Sequence, residues 1–329
     1  MSTGTSSMVQ ALNRALRRSL EDDPKVFLLG EDIGPLGGVF RVTDGLAKDF
    51  GADRVMTSPL GEAGIVGSAV GLALAGYRPV CEIQFDGFVF PAVNQLVTQL
   101  AHYRHRTGGL VSLPVVVRIP FGGGIGAVEH HGESPEAYFA HTPGLRVVCP
   151  STPQEAYDLL GQAITGADPV VFFEPKRSYW VKGDLDTDPS RPTTAFDSAR
   201  IVRPGTDVTV ATYGALVPVA LRAAEFLAGE GRSVEVIDLR SLSPLDDGTV
   251  IESVRRTGHL VVAHEASQSG GIGGELAARV QAAAFYDLEA PVVRVTGYDT
   301  PYPVSRLEED WLPNADRLVA ACDESLAYA

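Results

Sequence analysis

Short, unbroken apolar runs that alternate with helical segments constrain the fold of this chain more than any other feature. Such runs are typical of parallel strands, because helices cover both faces of a parallel sheet. They occupy residues 26–29, 147–149 and 170–173, and similar runs that polar or charged residues interrupt occupy residues 80–85 and 115–119. Apolar residues recur at helical spacing before the run at 26–29 and after the run at 80–85, over residues 9–20 and 88–106. The pattern predicts an α/β fold in which helices flank a parallel sheet.

A change of composition at residues 182–198 divides the chain. This segment is polar, contains proline and lacks any periodicity. Strand-like runs then resume at residues 208–212, 234–239, 260–263 and 292–295, with helical segments between them. A length of 329 residues suits two α/β domains. We expect a first domain over residues 1–181, a linker over 182–198 and a second, smaller α/β domain over 199–329.

The charge and the cysteines exclude several classes of function. A net charge of −14 disfavours nucleic acid and anionic membranes as partners, because both would be repelled. The longest uncharged apolar stretch, residues 63–77, is too short to span a bilayer. Cys81, Cys149 and Cys322 lie far apart, and the N-terminal segment lacks the pattern of a secretory signal. We expect a cytoplasmic protein whose thiols are inert.

Glu62 is the first candidate for chemistry. It follows Ser58-Pro-Leu-Gly at the start of an apolar helix, where an acid complements the helix dipole. The functional interpretation is a partly buried carboxylate that shares a proton with a ligand nitrogen. Gly64, Gly67 and Gly71 leave one face of this helix almost without side chains, which suits close packing within the domain or at a subunit interface.

A glycine-rich segment followed by two histidines is the second candidate. Glycines at 122, 123, 124 and 126 precede His130 and His131, and their spacing matches neither a P-loop nor a dinucleotide fingerprint. The histidines are a solvated or structural pair, or one of them acts as an acid, base or hydrogen-bonding group. A zinc site would need further ligands at suitable spacing, and the sequence offers none.

Several segments in a fixed order resemble one known family. They are GEDIGPLGGVFRVTDGL, SPLGEAGIVGSAVGLALAG, EIQFDGFVFPAVNQLVTQLAHYRHRTGG, HHGESPEAYFAHTPGLRVVCPSTPQEA, DPVVFFEPKRSYW, VEVIDLRSLSPLD, GHLVVAHEA, EAPVVRVTGYDTPYP and WLPNADRL. The chain resembles the β subunits of the thiamin-diphosphate-dependent decarboxylating component of 2-oxo acid dehydrogenase complexes. The resemblance covers nearly everything from about residue 9 onward. It implies a pyrimidine-binding domain with a parallel sheet flanked by helices, and a smaller transketolase C-terminal-like α/β domain.

The resemblance implies roles for four residues around the pyrimidine ring of the cofactor. Glu62 matches the glutamate that hydrogen-bonds the ring nitrogen N1′ of thiamin diphosphate. Phe88 matches the aromatic residue that packs on the pyrimidine ring. Leu60 and Gln84 match other residues that line the same pocket.

The resemblance also assigns a role to His131. This residue matches the histidine that lies near the thiazolium ring and assists acyl transfer to the lipoyl group. The family's common His-Ser-x-Ser pattern here reads His131-Gly132-Glu133-Ser134. The missing hydroxyl at position 132 removes one hydrogen-bond partner of the histidine.

A missing motif implies a partner subunit. Thiamin enzymes hold the diphosphate and Mg²⁺ with a Gly-Asp-Gly motif followed about thirty residues later by Asn, an arrangement that this sequence lacks. The resemblance therefore implies an α subunit that anchors Mg²⁺ and the diphosphate within an α₂β₂ heterotetramer. It also implies docking to the dihydrolipoyl acyltransferase and its lipoyl domain. A structural monovalent cation, K⁺, is expected on main-chain oxygens near Val115 and Asp168.

The substrate is the least determined property. The stretch from EIQF to HYRHRTG and the run FFEPKR resemble the branched-chain enzymes more than the pyruvate enzymes. We expect 3-methyl-2-oxobutanoate and related acids as substrates, with pyruvate as the alternative. A non-catalytic assembly subunit is a third interpretation, against which the presence of Glu62, Phe88 and His131 together argues.

Overall fold

The computed structural model describes residues 3–191, 193 and 195–328. The chain forms two compact units. The first contains the described residues up to Phe121 together with Tyr138–Phe196, and the second contains Gly122–Ala137 and the described residues from Asp197 onward. The expected linker at 182–198 therefore starts too early. Its first residues, Lys182–Asp186, form a strand of the first unit.

The first unit is built on parallel strands. Its strands are β1 (Thr3–Ser7), β2 (Val26–Gly30), β3 (Val55–Thr57), β4 (Arg78–Glu82), β5 (Val116–Phe121), β6 (Arg146–Val148), β7 (Val170–Pro175) and β8 (Lys182–Asp186). Six of them lie in the order β6-β7-β5-β4-β2-β3 and are all parallel, while β1 pairs antiparallel with β8. The five apolar runs coincide with β2, β4, β5, β6 and β7, which confirms the predicted parallel sheet.

Helices cover this sheet. The α-helices between residues 8 and 165 are α1 (Met8–Asp22), α2 (Leu46–Phe50), α3 (Glu62–Leu74), α4 (Ala101–Arg106), α5 (Glu136–Ala140) and α6 (Pro153–Thr165). Helix α1 begins with a capping box, in which the side chains of Ser7 and Gln10 each accept the other's backbone N–H. Helix α1 packs on α6, and both contribute leucines, among them Leu12 and Leu159, to the apolar core.

The continuous helix predicted over residues 88–106 was wrong. A 3₁₀-helix spans Asp86–Ala92, α-helical residues 93–94 follow, a π-helix spans Gln95–Leu100, and α4 ends the segment. Pro91 lies inside the first segment, and proline has no N–H to donate to a helix. The apolar spacing was therefore right about a helical path but could not report its hydrogen bonding.

The second unit has a five-stranded sheet. Its elements are β9 (Arg200–Arg203), β10 (Val208–Thr212), α7 (Val217–Gly229), β11 (Val234–Asp238), β12 (Ser241–Ser243), α8 (Asp247–Thr257), β13 (Leu260–Ser267), α9 (Ile272–Ala284), β14 (Val293–Gly297), α10 (Glu308–Trp311) and α11 (Ala315–Leu326). The strand order is β14-β13-β10-β11-β9, with β9 antiparallel to β11 and the others parallel. The predicted second α/β domain is confirmed. Within the described residues, no helix is both long enough and apolar enough to cross a membrane.

Candidate functional site

The carboxyl ends of β2, β3 and β4 bring most of the predicted site residues to one edge of the first sheet. In a parallel sheet these ends lie side by side, and ligands of open α/β sheets collect there. Leu60 and Glu62 follow β3, while Gln84 and Phe88 follow β4, and β2 lies between those two strands. The sequence-based grouping of these four residues therefore has a structural basis in the strand order.

Glu62 is the first residue of α3 and is half-buried. The residue before it, Gly61, donates its backbone N–H to Oε1 of Glu31 at 3.0 Å. Glu31 follows β2 directly and only 4% of it is exposed. Burial raises the pKa of the Glu31 carboxyl, the hydrogen bond from Gly61 opposes this, and the charges of Glu62 and Asp32 add to the rise. A second carboxyl group, whose pKa is raised, therefore lies beside the start of α3.

Glu31 was missed as a site residue in the sequence analysis. The available signal was its position, since it is an acid that directly follows a buried apolar strand. The same signal applies to Glu82 at the end of β4. An acid in that position reaches the ligand-binding edge whether or not a motif surrounds it.

The other predicted residues at this edge present apolar and amide groups. Gln84 donates its Nε2 hydrogen to Oδ2 of Asp32 at 2.9 Å. Phe88 is half-buried and packs edge-to-face on Phe85, with 6.0 Å between the ring centroids. Leu60 is 85% exposed. The edge thus offers an aromatic face and an apolar side chain next to carboxylates, which suits a planar nitrogen heterocycle with a ring nitrogen to protonate.

The charges at this edge fit the pyrimidine part of thiamin diphosphate and disfavour the diphosphate part. Glu31, Asp32 and Glu62 follow β2 and β3, and carboxylates repel phosphate groups. Lys176, which follows β7, is buried in an ion pair with Asp86. The described residues include no group of three or more His, Cys, Asp and Glu side chains arranged to hold a metal ion.

A buried ionic network links β4 to its neighbours β5 and β7. Arg118 on β5 donates to Oε2 of Glu82 at 2.6 Å and to both oxygens of Glu174 at 2.7 and 2.9 Å. The Tyr179 hydroxyl donates to Oε2 of Glu174 at 2.6 Å. Burial raises the pKa of Glu82, and the Arg118 charge opposes that rise. The network joins the neighbouring strands β4, β5 and β7, of which β4 is one of the strands that end at the site edge.

His131 is described with the second unit, in what we call the glycine loop, residues 122–133. It ends the short 3₁₀-helix Glu129–His131 and is half-buried. Its Nδ1 lies 3.1 Å from the carbonyl oxygen of His130. Because a carbonyl oxygen only accepts, Nδ1 is the donor in this contact. The contact ties the imidazole ring to the backbone at residue 130.

The residues expected near a monovalent cation lie at the opposite, amino edge of the first sheet. Val115 precedes β5, and its carbonyl oxygen accepts the N–H of Val170 at 2.9 Å. Asp168 precedes β7, and its carboxylate forms an ion pair with Arg104. Asp168 also lines a cavity of about 430 Å³ at this edge. The strand order brings the two residues together, and the cation itself stays a prediction.

Two family models match the chain and together cover most of it. The model described as "Transketolase, pyrimidine binding domain" matches residues 5–181. The model described as "Transketolase, C-terminal domain" matches residues 197–318.

Curated relatives are similar over almost the whole length. The chain is 60% identical to a protein of Leifsonia xyli named pyruvate dehydrogenase E1 component subunit beta, over 98% of this chain and 95% of the relative. It is 55% identical to a Mycobacterium tuberculosis protein named 3-methyl-2-oxobutanoate dehydrogenase subunit beta, over 98% and 93%. A solved structure titled "Split gene transketolase, inactive beta4 tetramer" matches with a TM-score of 0.80 and 24% identity, over 99% of each chain. That last likeness concerns the fold alone.

Proposed function

The chain belongs to the transketolase-like β subunits of 2-oxo acid dehydrogenase complexes, and we propose that with an α subunit it forms the component that decarboxylates a 2-oxo acid. The observation that carries the proposal is the arrangement at the carboxyl edge of β2, β3 and β4. There a half-buried glutamate starts α3, which packs against the 3₁₀-helix that carries a half-buried aromatic residue. This pairing suits the aminopyrimidine of thiamin diphosphate.

In the proposed mechanism, the protein holds the cofactor and manages protons. When bound, thiamin diphosphate supplies the nucleophilic carbon and the electron sink for decarboxylation. Glu62 shares a proton with the N1′ nitrogen of the pyrimidine, a charge-assisted hydrogen bond worth about 1.5–3 kcal/mol. Phe88 packs on the ring, while Leu60 and Gln84 line its pocket. His131 assists acyl transfer to the lipoyl group.

The α subunit completes the site in this proposal. The acids at the edge of the first sheet would repel a diphosphate, so the α subunit holds the diphosphate and Mg²⁺. We propose an α₂β₂ heterotetramer that docks on the dihydrolipoyl acyltransferase and receives its lipoyl domain, in the cytoplasm. A K⁺ ion on main-chain oxygens near Val115 and Asp168 belongs to the same proposal.

Two substrates remain candidates, each with its own support. Branched-chain acids such as 3-methyl-2-oxobutanoate are our first choice, on the resemblance of residues 82–108 and of the run FFEPKR. Pyruvate is the second, because the relative named as a pyruvate dehydrogenase subunit is 60% identical and the one named for 3-methyl-2-oxobutanoate is 55% identical. A small difference in overall identity does not decide which side chain a pocket accepts.

A decarboxylation assay tests the proposal. The chain is assayed alone and mixed with its cognate α subunit, with thiamin diphosphate, Mg²⁺ and an artificial electron acceptor. Pyruvate and 3-methyl-2-oxobutanoate are compared in parallel. We expect turnover only in the mixture, and a higher kcat/KM for the branched-chain acid.

Each other outcome has a distinct meaning. Turnover by the chain alone would contradict a divided site. A higher kcat/KM for pyruvate would select the second candidate. No thiamin-dependent turnover in a correctly assembled mixture would favour a non-catalytic assembly subunit.

A further inference from the structure

The glycine loop is closed at its base and leads directly to His131. The N–H of Gly122 donates to the carbonyl oxygen of Glu133 at 2.9 Å, which joins the two ends of the loop. His131 lies two residues before Glu133. Whatever fixes the loop near its base therefore also fixes the backbone that carries His131.

Two carboxylates of the second unit hold the first half of the loop. The buried Glu308 accepts the N–H of Gly124 at 2.7 Å on Oε1 and the N–H of Gly126 at 2.9 Å on Oε2. Glu265 accepts the N–H of Gly123 at 3.1 Å. Hydrogen bonds to a charged acceptor are the strong ones in proteins. Glu308 therefore clamps two points of the loop with a single side chain.

Tyr302 packs against both ends of the loop. A Cβ added to Gly123 would lie 2.0 Å from the Tyr302 hydroxyl oxygen, and one added to Gly132 would lie 2.2 Å from Cε1 of the same ring. Position 132 is thus glycine because the ring occupies the space of a side chain. The serine that the family commonly has there would collide with Tyr302.

Tyr302 and Glu308 act together. The Tyr302 hydroxyl donates to Oε1 of Glu308, the oxygen that also accepts from Gly124. Burial, together with the hydrogen bond to Glu308, raises the pKa of the Tyr302 hydroxyl far above its usual value, so the tyrosine stays a donor. The Tyr302 ring lies against both ends of the loop, and the Glu308 carboxylate holds its first half.

We propose that Glu308 and Tyr302 are positioning residues that fix the glycine loop and with it His131 for transfer of the acyl group to the lipoyl arm. The inference rests on the proposed function of His131. It adds that the position of this histidine depends on residues about 170 positions further along the chain. The Tyr302 ring also accounts for glycine, rather than serine, at position 132.

The test compares Glu308→Gln with Glu309→Gln in the assembled heterotetramer. Both substitutions remove one negative charge. Glu309 is the neighbouring, exposed glutamate, so its variant serves as the control for the loss of charge. The amide of glutamine accepts with one oxygen only, so one of the two loop N–H groups loses its acceptor. Backbone hydrogen exchange of residues 122–126 is measured, and activity is measured both with an artificial acceptor and with the lipoyl domain.

We expect faster exchange at residues 122–126 in Glu308→Gln and wild-type exchange in Glu309→Gln. Acylation of the lipoyl domain should fall at least about tenfold in Glu308→Gln, since a charge-assisted hydrogen bond is lost. Decarboxylation with the artificial acceptor should fall much less. Tyr302→Phe keeps the ring over Gly132 and loses only the hydroxyl, so it should show a smaller change in the same direction.

Two results would overturn the inference. One is wild-type exchange of the loop in both Glu308→Gln and Tyr302→Phe. The other is an equal loss in the two activity assays. If the wild-type heterotetramer has no thiamin-dependent turnover, the proposed function fails instead, and this is seen before any variant is compared.

Discussion

At the scale of single residues, carboxylates in this chain serve as acceptors for backbone N–H groups of glycines. Glu31 accepts from Gly61, and Glu308 accepts from Gly124 and Gly126. A carboxylate can accept several such bonds, and glycine lets another group approach its backbone closely. The large negative charge of the chain therefore has structural uses besides the repulsion of anionic partners.

Replacing Glu62 by glutamine should remove most thiamin-dependent turnover. The amide cannot share a proton with the pyrimidine nitrogen, and we expect a fall of about a hundredfold or more in kcat, within the usual range for proton-transfer groups. The fold should be retained, since Glu62 is half-buried at a helix start. Activity and Tm are compared with those of Asp316→Asn, which removes an exposed first-turn acid from α11. Equal activities in the two variants would contradict the role of Glu62.

Replacing His131 by alanine should reduce acylation of the lipoyl domain more than decarboxylation with an artificial acceptor. Only the first reaction needs the imidazole of His131 in our proposal. His130→Ala is the matched control, because the bond from His131 goes to the backbone oxygen of residue 130 and survives that change. A similar loss in both reactions would refute the assignment.

Residues near one another in sequence were easier to predict than residues that meet only in the fold. Gln84 and Phe88 lie at or just after the apolar run at residues 80–85, whereas Glu62 follows the short strand β3, which no apolar run predicts. The expected role of Glu62 came from the family resemblance. Glu308 was not identified, because its partners lie 182 and 184 positions away and no local pattern predicts such a pairing.

At the scale of elements, the ionic network of Arg118, Glu82 and Glu174 joins three neighbouring strands. Arg118→Met would leave two buried carboxylates without their cation, which costs about 3–5 kcal/mol of unfolding free energy. Arg17→Met removes an exposed partner of Asp49 and should cost about 0–1 kcal/mol. Urea unfolding of both variants measures the contrast. Similar losses would mean that the central network is no more important than a surface pair.

The elements that sequence patterns missed lack the patterns on which prediction depends. Strands β1 and β8 read TGTSS and KGDLD, so neither has an apolar run or a clean alternation. The two strands pair although almost the whole first domain separates them along the chain. The polar composition of β8 led to the prediction of a linker. The apolar spacing over residues 88–106 could not distinguish 3₁₀, α and π hydrogen bonding, because all three keep one face apolar.

At the scale of the whole molecule, a buried histidine should couple stability to pH. Burial lowers the pKa of His264 to about 4, and Arg294 adds to this while the bond to the Ala266 carbonyl opposes it. Tyr213 stacks on the ring. The unfolded chain has an ordinary pKa near 6.5 and so binds the proton first as pH falls. Stability is therefore complete above about pH 6.5 and is lost as the pH falls towards 4.

The expected loss is about 2 kcal/mol of unfolding free energy between pH 7 and pH 5 from this residue alone. His264→Gln lacks this component, so its stability should fall less over the same range. Urea unfolding at the two pH values measures the difference. An identical fall in the wild-type protein and in the variant would show that His264 does not control the pH dependence.

The division into two units also exceeds what a linear reading of the sequence can predict. Gly122–Ala137 lies between strands of the first sheet along the chain and yet belongs to the second unit. Three of its backbone N–H groups, those of Gly123, Gly124 and Gly126, donate to Glu265 and Glu308, which are both residues of that unit. A single domain boundary, placed at residue 182 on the basis of composition, could not assign an earlier segment of the chain to the second unit.

The glycine loop finally shows why a glycine-rich sequence need not bind phosphate. Exposed backbone N–H groups of successive glycines form a concave anion receptor, which nucleotides and inorganic phosphate exploit in other proteins. Here the protein supplies the anion itself, because the Glu308 carboxylate already occupies the N–H groups of Gly124 and Gly126. Free phosphate would have to displace the Glu308 carboxylate, whose attachment to the same chain gives it a very high effective concentration at the loop. Two of the loop's N–H groups are therefore already bonded and are not available to phosphate while Glu308 holds them.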